Sequence, residues 1–334
     1  MSLPPKEIPL GAMRFNSDSH KLEYWNGEIW MQVDTEPASG LGGRAFRAGA
    51  GSGGTVIEYW NIATEGNAID TGFDLSVGVH AAASGGSRTR AIIAGGRSSA
   101  GAPWGQKNEI QYFEMASLSN SIDFGDLTAT KGRHGGHSNN TRMVCGGGQS
   151  NNATIDLIII TSTGNATDFG DLTLGREGTS GCGSPTRAIF AGGNYTSPET
   201  STNRLDYVTL SSTGNAVDFG DLTNNRYFSA AMCNPVRAAW AQGYITPSGA
   251  VNTIDYTTIA TTGNASDFGD AEQVRYGPGG FSSPTRCGFF AGHTPTTYIN
   301  QIDINVRSGS TKFGDLTLEG SYPCGYSDVH GGIV

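Results

Sequence analysis

The sequence predicts an all-β fold, a six-bladed β-propeller, because one segment recurs six times along its 334 residues. The segment is close to Gly-Asn-Ala-x-Asp-Phe-Gly-Asp-Leu-Thr, and the gaps between its phenylalanines are 51, 45, 50, 49 and 45 residues. A period in this range, with strand-like alternation between the copies, is typical of a four-stranded sheet repeated around an axis. The recurring phenylalanines are Phe73, Phe124, Phe169, Phe219, Phe268 and Phe313.

Each repeat is predicted to contain four strands, as the copy that ends with Phe219 illustrates. Residues 180–184 are small, and residues 187–193 are an apolar run closed by glycines. Residues 205–208 alternate in polarity as a half-buried strand does, and the fourth strand carries the phenylalanine. Gly-Asn, Ser-Pro and Gly-Gly pairs between these runs predict turns.

The two ends of the repeat region predict how the ring closes. Residues 324–334 resemble a first strand with part of a second, although no further repeat follows them. The first repeat begins near Arg44 and leaves little room for an innermost strand. We therefore expect the C-terminal strand to complete the N-terminal blade, which would remove both exposed sheet edges. A seven-bladed ring is the alternative.

Charge and hydropathy argue against several classes of protein. The net charge is −9 and no basic block occurs, so nucleic acid is not an expected partner. No apolar stretch reaches the roughly 18 residues of a membrane-spanning helix, so membrane insertion is not expected. Residues 1–7 lack the basic start and apolar run of a signal peptide, so we expect synthesis in a cytoplasm without secretory export.

Five cysteines fall singly on the predicted first or second strands of five different repeats. An odd number of cysteines, spaced at one per repeat, argues for small buried side chains rather than for a disulfide framework or a zinc site. They are Cys145, Cys182, Cys233, Cys287 and Cys324.

Several motifs imitate catalytic sites, but no enzyme, catalytic residue, cofactor or metal site is expected. Asp-Phe-Gly occurs four times, without the catalytic loop and strand lysine of a kinase. His134 and His137 should lie on opposite faces of one strand, hydrogen-bonded to solvent or turns. A copper-radical oxidase needs converging histidines and tyrosines, and only His293 and His330 lie near suitable loops.

The carboxylates of the repeat are expected to form structural ion pairs. Asp168 and Asp171 recur as Asp218 and Asp221, and arginines recur with the same period. Calcium binding in these loops is the alternative. The candidate arginines are Arg133, Arg176, Arg226 and Arg275, or Arg90, Arg142, Arg187, Arg237 and Arg286.

The N-terminal segment does not share the repeat, so we divide the chain into residues 1–36 and a propeller of residues 37–334. Residues 13–16 and 21–33 predict short strands, with a hairpin turn at Asn26-Gly27. A hairpin of this size is marginal alone. Its aromatic side chains are therefore expected to make attachment or oligomer contacts, and they are Tyr24, Trp25 and Trp30.

The candidate ligand-binding residues lie on loops of variable length. In a propeller the second-to-third loops and the links between blades share one face, and here they vary while the opposite loops are short and uniform. Exposed aromatic side chains on such loops suit sugar or protein surfaces. The candidates are Trp104, Tyr195, Tyr244 and Tyr298. The alternative is that these side chains only fix their own loops.

Two parts of the chain resemble virion proteins of tailed bacteriophages. Residues 11–30, Gly-Ala-Met-Arg-Phe-Asn-Ser-Asp-Ser-His-Lys-Leu-Glu-Tyr-Trp-Asn-Gly-Glu-Ile-Trp, resemble a short module of tail fibres and related structural proteins. The repeats, in which Thr-Arg-x-x-x-x-Gly-Gly alternates with Asn-Ala-x-Asp-Phe-Gly-Asp-Leu-Thr, look like kelch-type propellers of marine and cyanobacterial phages. Cellular kelch repeats often carry a tryptophan strand where this chain has Asp-Phe-Gly-Asp, so cellular kelch functions are not carried over.

The resemblance implies a non-enzymatic virion protein, a tail fibre or tail-associated kelch-like propeller made in the host cytoplasm. Its expected partners are other tail or capsid proteins and a glycan or protein of the host surface, within a homo- or hetero-oligomeric assembly. A capsid decoration or connector protein with a purely structural role is the alternative.

Overall fold

The computed structural model of the chain divides into two compact units, Met1–Gly42 and Gly43–Val334. The boundary predicted after residue 36 falls outside the described residues. Those are residues 9, 11–16, 21–25, 27–33, 43–50, 54–98, 105–196, 199–294 and 296–333.

The first unit contains a three-stranded antiparallel sheet in chain order, β1 (Met13–Asn16), β2 (Lys21–Trp25) and β3 (Trp30–Val33). Trp25 pairs with Trp30 across the turn, where Gly27 has a positive φ of 102°. Their rings lie 5.6 Å apart, and the Arg14 guanidinium lies 4.2 Å above the Trp30 ring. The strands predicted here are confirmed.

The second unit consists of antiparallel sheets. Its strands are β4 (Arg44–Ala50), β5 (Gly54–Asn61), β6 (Ile69–Asp74), β7 (Ala83–Gly86), β8 (Arg90–Ala94), β9 (Arg97–Ser98), β10 (Gly105–Glu114), β11 (Ile122–Lys131), β12 (Gly135–Ser138), β13 (Arg142–Gly146), β14 (Thr154–Ile159), β15 (Thr167–Asp171), β16 (Ser180–Gly183), β17 (Arg187–Ala191), β18 (Asn194–Thr196), β19 (Glu199–Ser201), β20 (Arg204–Thr209), β21 (Val217–Asp221), β22 (Ala230–Cys233), β23 (Arg237–Ile245), β24 (Gly249–Thr258), β25 (Ser266–Arg275), β26 (Gly279–Phe281), β27 (Arg286–Phe290), β28 (Thr296–Asp303), β29 (Thr311–Gly320) and β30 (Cys324–Ser327).

These strands form six blades, as predicted. Blade 1 is β30-β4-β5-β6, and the C-terminal strand pairs Cys324 with Ala48 and Ser327 with Ala45. Closure by the C-terminal strand is therefore confirmed, and the seven-bladed alternative is wrong. Blades 2 to 6 are β7-β8-β10-β11, β12-β13-β14-β15, β16-β17-β20-β21, β22-β23-β24-β25 and β26-β27-β28-β29. The short strand β9 pairs with the beginning of β10, and β18 and β19 form a separate hairpin on blade 4.

Small residues on the innermost strands allow the blades to meet at the axis. A Cβ added to Gly181 would lie 2.7 Å from the carbonyl oxygen of Gly136 in the neighbouring blade. A side chain at this position would therefore push the two inner strands apart. The described part of the chain has no helix long and apolar enough to cross a membrane.

Five of the six recurring phenylalanines are buried, including Phe219 at 2% exposure, but Phe73 is 38% exposed. Asp70 pairs with Glu58 as Asp168 pairs with Asp156, whereas Asp74 takes the register position of Asp171. Blade 1 thus has one additional residue between its two aspartates, and Phe73 does not occupy the inward position of the motif. The motif phenylalanine therefore fills the core of blades 2 to 6 but not of blade 1.

The Gly-Asn part of the motif links neighbouring blades. The Gly164 amide donates to the Phe124 carbonyl at 2.7 Å, and Asn165 Oδ1 accepts from the Asp126 amide at 3.0 Å. The same asparagine contact recurs between other blades, at Asn67, Asn120, Asn215 and Asn264. Because these bonds join each blade to the next, the motif occurs once in each blade, whatever the lengths of the loops between its copies.

Buried ion pairs recur in the blades, but not with the carboxylates that the sequence suggested. Arg176 contacts Asp206 at 2.7 Å and Arg226 contacts Asp255 at 3.0 Å, with all four side chains fully buried. Those aspartates belong to the third strand of each blade. Asp168 instead lies on the exposed side of β15, where it accepts the Gly170 amide at 3.2 Å. Alternation along the strands explains the difference, because successive side chains point to opposite faces.

Candidate functional site

A cavity of about 150 Å³ lies on the propeller axis, and residues of all six blades line it. The six innermost strands surround it, and the two ends of this channel differ. One end is crossed by the C-terminal segment, residues 328–333. At the other end lie the links that lead from each blade into the next inner strand.

The C-terminal segment closes its end of the channel by contacting several blades. Asp328 accepts the Arg44 amide at 2.7 Å, and the Ile333 carbonyl accepts Arg88 Nε at 3.2 Å. Between these anchors Gly332 lies so close to Ser138 that a Cβ would come within 1.8 Å of its carbonyl oxygen. Blade 1 therefore holds one end of the segment and blade 2 holds the other, and blade 3 packs against the residues between them.

Three buried side chains converge where this segment crosses the axis, two from the blades and one from the segment itself. A nitrogen of His137 on β12, the sulfur of Cys233 on β22 and a nitrogen of His330 all lie within 4.8 Å of one another. His137 Nε2 donates to the carbonyl of Ser184 in the next blade at 3.0 Å, so the expected turn hydrogen bond is present. Burial lowers the pKa of His137 to about 4, which leaves the imidazole neutral at pH 7. We call these three residues the axial cluster.

Cys233 replaces a serine that recurs around the channel. At the same register position Ser138 and Ser327 each donate to the neighbouring blade, to the carbonyls of Gly86 at 2.8 Å and Ser282 at 2.7 Å. The Cys233 sulfur instead contacts the thiol of Cys182. This hydrogen bond lowers the pKa of Cys233 despite its burial, and the adjacent His330 acts in the same direction. The cluster therefore has the donor set of a nitrogen and sulfur metal site.

The five cysteines are buried and free, as expected. What sequence reasoning missed is that one of them meets two histidines. His137 joins His330 rather than His134, which is buried outside the cluster. The available signal was the departure of Cys233 from the serine found at this position in blades 1, 3 and 6.

At the opposite end, a ring of residues in left-handed conformation surrounds the mouth of the channel. Their φ angles lie between 50° and 70°, and the amide of one donates to the carbonyl of the preceding one, as Phe228 does to Gly178 at 2.8 Å. Large and small residues alternate around this mouth ring. Its members are Ala81, Arg133, Gly178, Phe228, Gly277 and Tyr322.

An aromatic patch covers one side of the mouth. Tyr276 stacks on His293 at 4.5 Å, and Tyr244 and Tyr322 approach Tyr276 edge-on at 5.0 and 6.1 Å. His293 is exposed, while the three tyrosines are half-buried. We call the mouth patch the set Tyr227, Phe228, Tyr244, Tyr276, His293 and Tyr322.

Charged groups border the mouth patch. The Arg133 guanidinium lies 5.4 Å from the Phe228 ring and pairs with Glu177 at 2.9 Å. Burial raises the pKa of Tyr322, so its hydroxyl stays protonated and able to donate. The patch thus combines aromatic faces with hydrogen-bonding groups, which suits a polar ligand with apolar faces.

Of the four predicted ligand-binding residues, the structure brings Tyr244 to the mouth patch. Tyr195 is half-buried on β18, and Tyr298 is half-buried with the Lys312 ammonium 4.4 Å from its ring. Trp104 lies outside the described residues. Sequence reasoning missed Tyr276 and Tyr322, which lie in links between blades rather than in the second-to-third loops.

The predicted attachment residues remain together in the first unit. Trp25 and Trp30 are half-buried against each other, and Tyr24 is exposed on the same hairpin. Met13 and Phe15 on β1 are also exposed, at 62% and 65%.

Fold and channel together define a six-bladed β-propeller whose ring is closed by its C-terminal strand. No protein-family model matches the sequence, and no curated protein matches it.

Proposed function

We propose that this protein is a non-enzymatic virion protein, a tail fibre or tail-associated propeller that binds a host-surface glycan or protein through the mouth patch. The observation that carries the proposal is the patch itself, in which Tyr244, Tyr276 and Tyr322 meet around His293. The resemblance of residues 11–30 and of the repeats to phage virion proteins supports the assignment to a virion.

The mouth patch is suited to binding because its backbone is fixed before a ligand arrives. The hydrogen bonds of the mouth ring connect successive blades, including Gly277 to Phe228 at 2.7 Å and Gly178 to Arg133 at 2.7 Å. A rigid aromatic surface loses little conformational entropy when it binds. Tyrosines with nearby arginine and histidine are also typical of the residues that dominate binding energy in protein interfaces.

The first unit is proposed to attach the protein to its assembly. Exposed apolar side chains on a small unit are typical of interaction surfaces. Met13 and Phe15 on β1 and Ile29 in the turn before β3 are all more than half exposed. Trp25 and Trp30 form a paired aromatic surface on the opposite face of the sheet, where the Arg14 guanidinium lies over the Trp30 ring.

The test compares the full-length chain with two variants on a glycan array and on host cells. Tyr276→Ala removes the ring that contacts both Tyr244 and His293, and it should weaken binding at least ~10-fold. Phe73→Ala removes an exposed aromatic side chain outside the patch; it is the matched control and should bind as the original chain does. Equal binding by both variants would contradict the proposal.

Electron microscopy of virions carrying a labelled copy tests the location. Label on the tail agrees with the proposal, whereas label distributed over the capsid would replace it with the decoration-protein alternative.

A further inference from the structure

The axial cluster joins three distant parts of the chain at the closed end of the channel. His137 belongs to blade 3, Cys233 to blade 5 and His330 to the segment that follows the closing strand. We propose that these three side chains bind one zinc-type transition-metal ion, which ties the C-terminal segment to two blades across the axis.

The donor set and spacing fit such an ion. Zinc takes histidine nitrogens at about 2.0–2.1 Å and cysteine sulfur at about 2.3 Å, so ligand atoms on its tetrahedron lie roughly 3.5 Å apart. The three ligand atoms here lie within 4.8 Å of one another, so small side-chain rotations bring them to that spacing. Mixed imidazole and thiolate ligands select zinc, cobalt or copper over magnesium or calcium.

The hydrogen bonds of both histidines fix which ring nitrogen carries the lone pair. His137 Nε2 donates to the Ser184 carbonyl at 3.0 Å, so its Nδ1 is unprotonated. Ser138 Oγ donates its proton to the Gly86 carbonyl and therefore accepts from His330 Nε2 at 3.3 Å. His330 Nδ1 then carries the lone pair of its ring, which accepts the Gly332 amide at 3.1 Å, so the ion would replace that hydrogen bond. Metal-bound histidines have this arrangement, with the other ring nitrogen donating to a carbonyl or hydroxyl.

Three protein ligands leave the fourth tetrahedral position open. The axial cavity is lined by all three members of the cluster and by Cys182, so a water molecule or the Cys182 thiol can reach that position. Because His330 lies on the segment that closes the channel, the bound ion should stabilise ring closure, and its removal should lower the melting temperature.

The experiment uses the full-length chain, stripped with a chelator under reducing conditions and titrated with Co²⁺. A site containing a thiolate should give a sulfur-to-cobalt charge-transfer band and tetrahedral d–d bands at one equivalent, and Zn²⁺ should abolish them by displacement. Thermal unfolding with and without Zn²⁺ gives a second readout, with a higher melting temperature expected for the loaded protein.

Cys233→Ser is the decisive variant, because serine already occupies the same position in blades 1, 3 and 6 and the fold should tolerate it. It should lose the charge-transfer band and bind cobalt ~100-fold more weakly or worse, since even residues that only support metal ligands cost 10–100-fold. His330→Gln should weaken binding similarly. Cys145→Ala, a buried cysteine outside the cluster, is the control and should titrate as the original chain does.

Two results would overturn the proposal. One is a folded original chain that binds neither Co²⁺ nor Zn²⁺ and whose melting is unaffected by either. The other is a Cys233→Ser protein, folded by circular dichroism, that binds cobalt with the affinity and spectrum of the original chain.

Discussion

Phe219→Ala and Phe73→Ala form a matched pair, because the same motif residue is buried in blade 4 and exposed in blade 1. Phe219 is 2% exposed and meets the Tyr207 ring edge-on at 5.7 Å, whereas Phe73 is 38% exposed. Truncating a buried phenylalanine costs about 3–5 kcal/mol of unfolding free energy, which includes the cavity left behind. Loss of an edge-on aromatic pair accounts for about 0.5–1.5 kcal/mol of that. Phe73→Ala should change stability by only about 0.5 kcal/mol, as surface substitutions do.

Urea unfolding followed by circular dichroism measures both variants against the original chain. The midpoint should move clearly to lower denaturant for Phe219→Ala and stay within error for Phe73→Ala, with similar slopes for all three proteins. Equal shifts for the two variants would refute the register argument that places Phe73 outside the core. An unchanged midpoint for Phe219→Ala would refute the role of the motif in the blade core.

Four further predictions follow from the fold and its charges. Deleting residues 322–334 should expose the inner edge of blade 1 and cause aggregation in size-exclusion chromatography, and a soluble truncation with native melting would contradict ring closure. Asp206→Asn should cost about 3–5 kcal/mol because it leaves a fully buried arginine unpaired, while the exposed Asp168→Asn should cost almost nothing in the same denaturation assay. Burial lowers the pKa of His134 from its ordinary 6.5 to about 3. Between these pH values the unfolded chain binds a proton that the folded chain does not, so stability is lost as pH falls from about 6.5 towards 3. His134→Leu should reduce the slope of unfolding free energy against pH by up to about 1.4 kcal/mol per pH unit. An unaltered slope would argue against a neutral buried imidazole. Deleting residues 1–36 should leave a folded, monodisperse propeller that no longer incorporates into particles. Normal incorporation would contradict the proposed attachment role of the first unit.

The blades were predictable because their signals are local and repeated. Turn pairs, strand alternation and the small inner residues recur in each copy, and the unmatched residues 324–334 indicated the closing strand. The exposure of Phe73 could not be predicted from the spacing of the phenylalanines. One additional residue between Asp70 and Asp74 shifts it out of the inward position. The ion pairs were assigned to the wrong carboxylates because period alone does not indicate which face of a strand a side chain occupies.

The axial cluster and most of the mouth patch could not be predicted, because the residue types at these positions differ from blade to blade. Each member of the cluster belongs to a different part of the chain, and ring closure alone brings His330 to His137. Tyr276 and Tyr322 lie in links that have equal lengths but different sequences, so the repeat does not indicate that their rings meet.

Departures from the repeat coincide with the two sites to which we propose functions in this chain. At the mouth ring, glycine suits the left-handed conformation that every copy adopts, and Gly178 and Gly277 supply it. Phe228 and Tyr322 adopt the same conformation at a cost in backbone strain of about 1–3 kcal/mol each, which folding alone does not require. The same reasoning applies to Cys233, since a serine there would complete the hydrogen bonds that Ser138 and Ser327 make. Both ends of the channel thus carry residues that the blade architecture does not need, aromatic rings at the open mouth and a nitrogen and sulfur cluster beneath the closing segment.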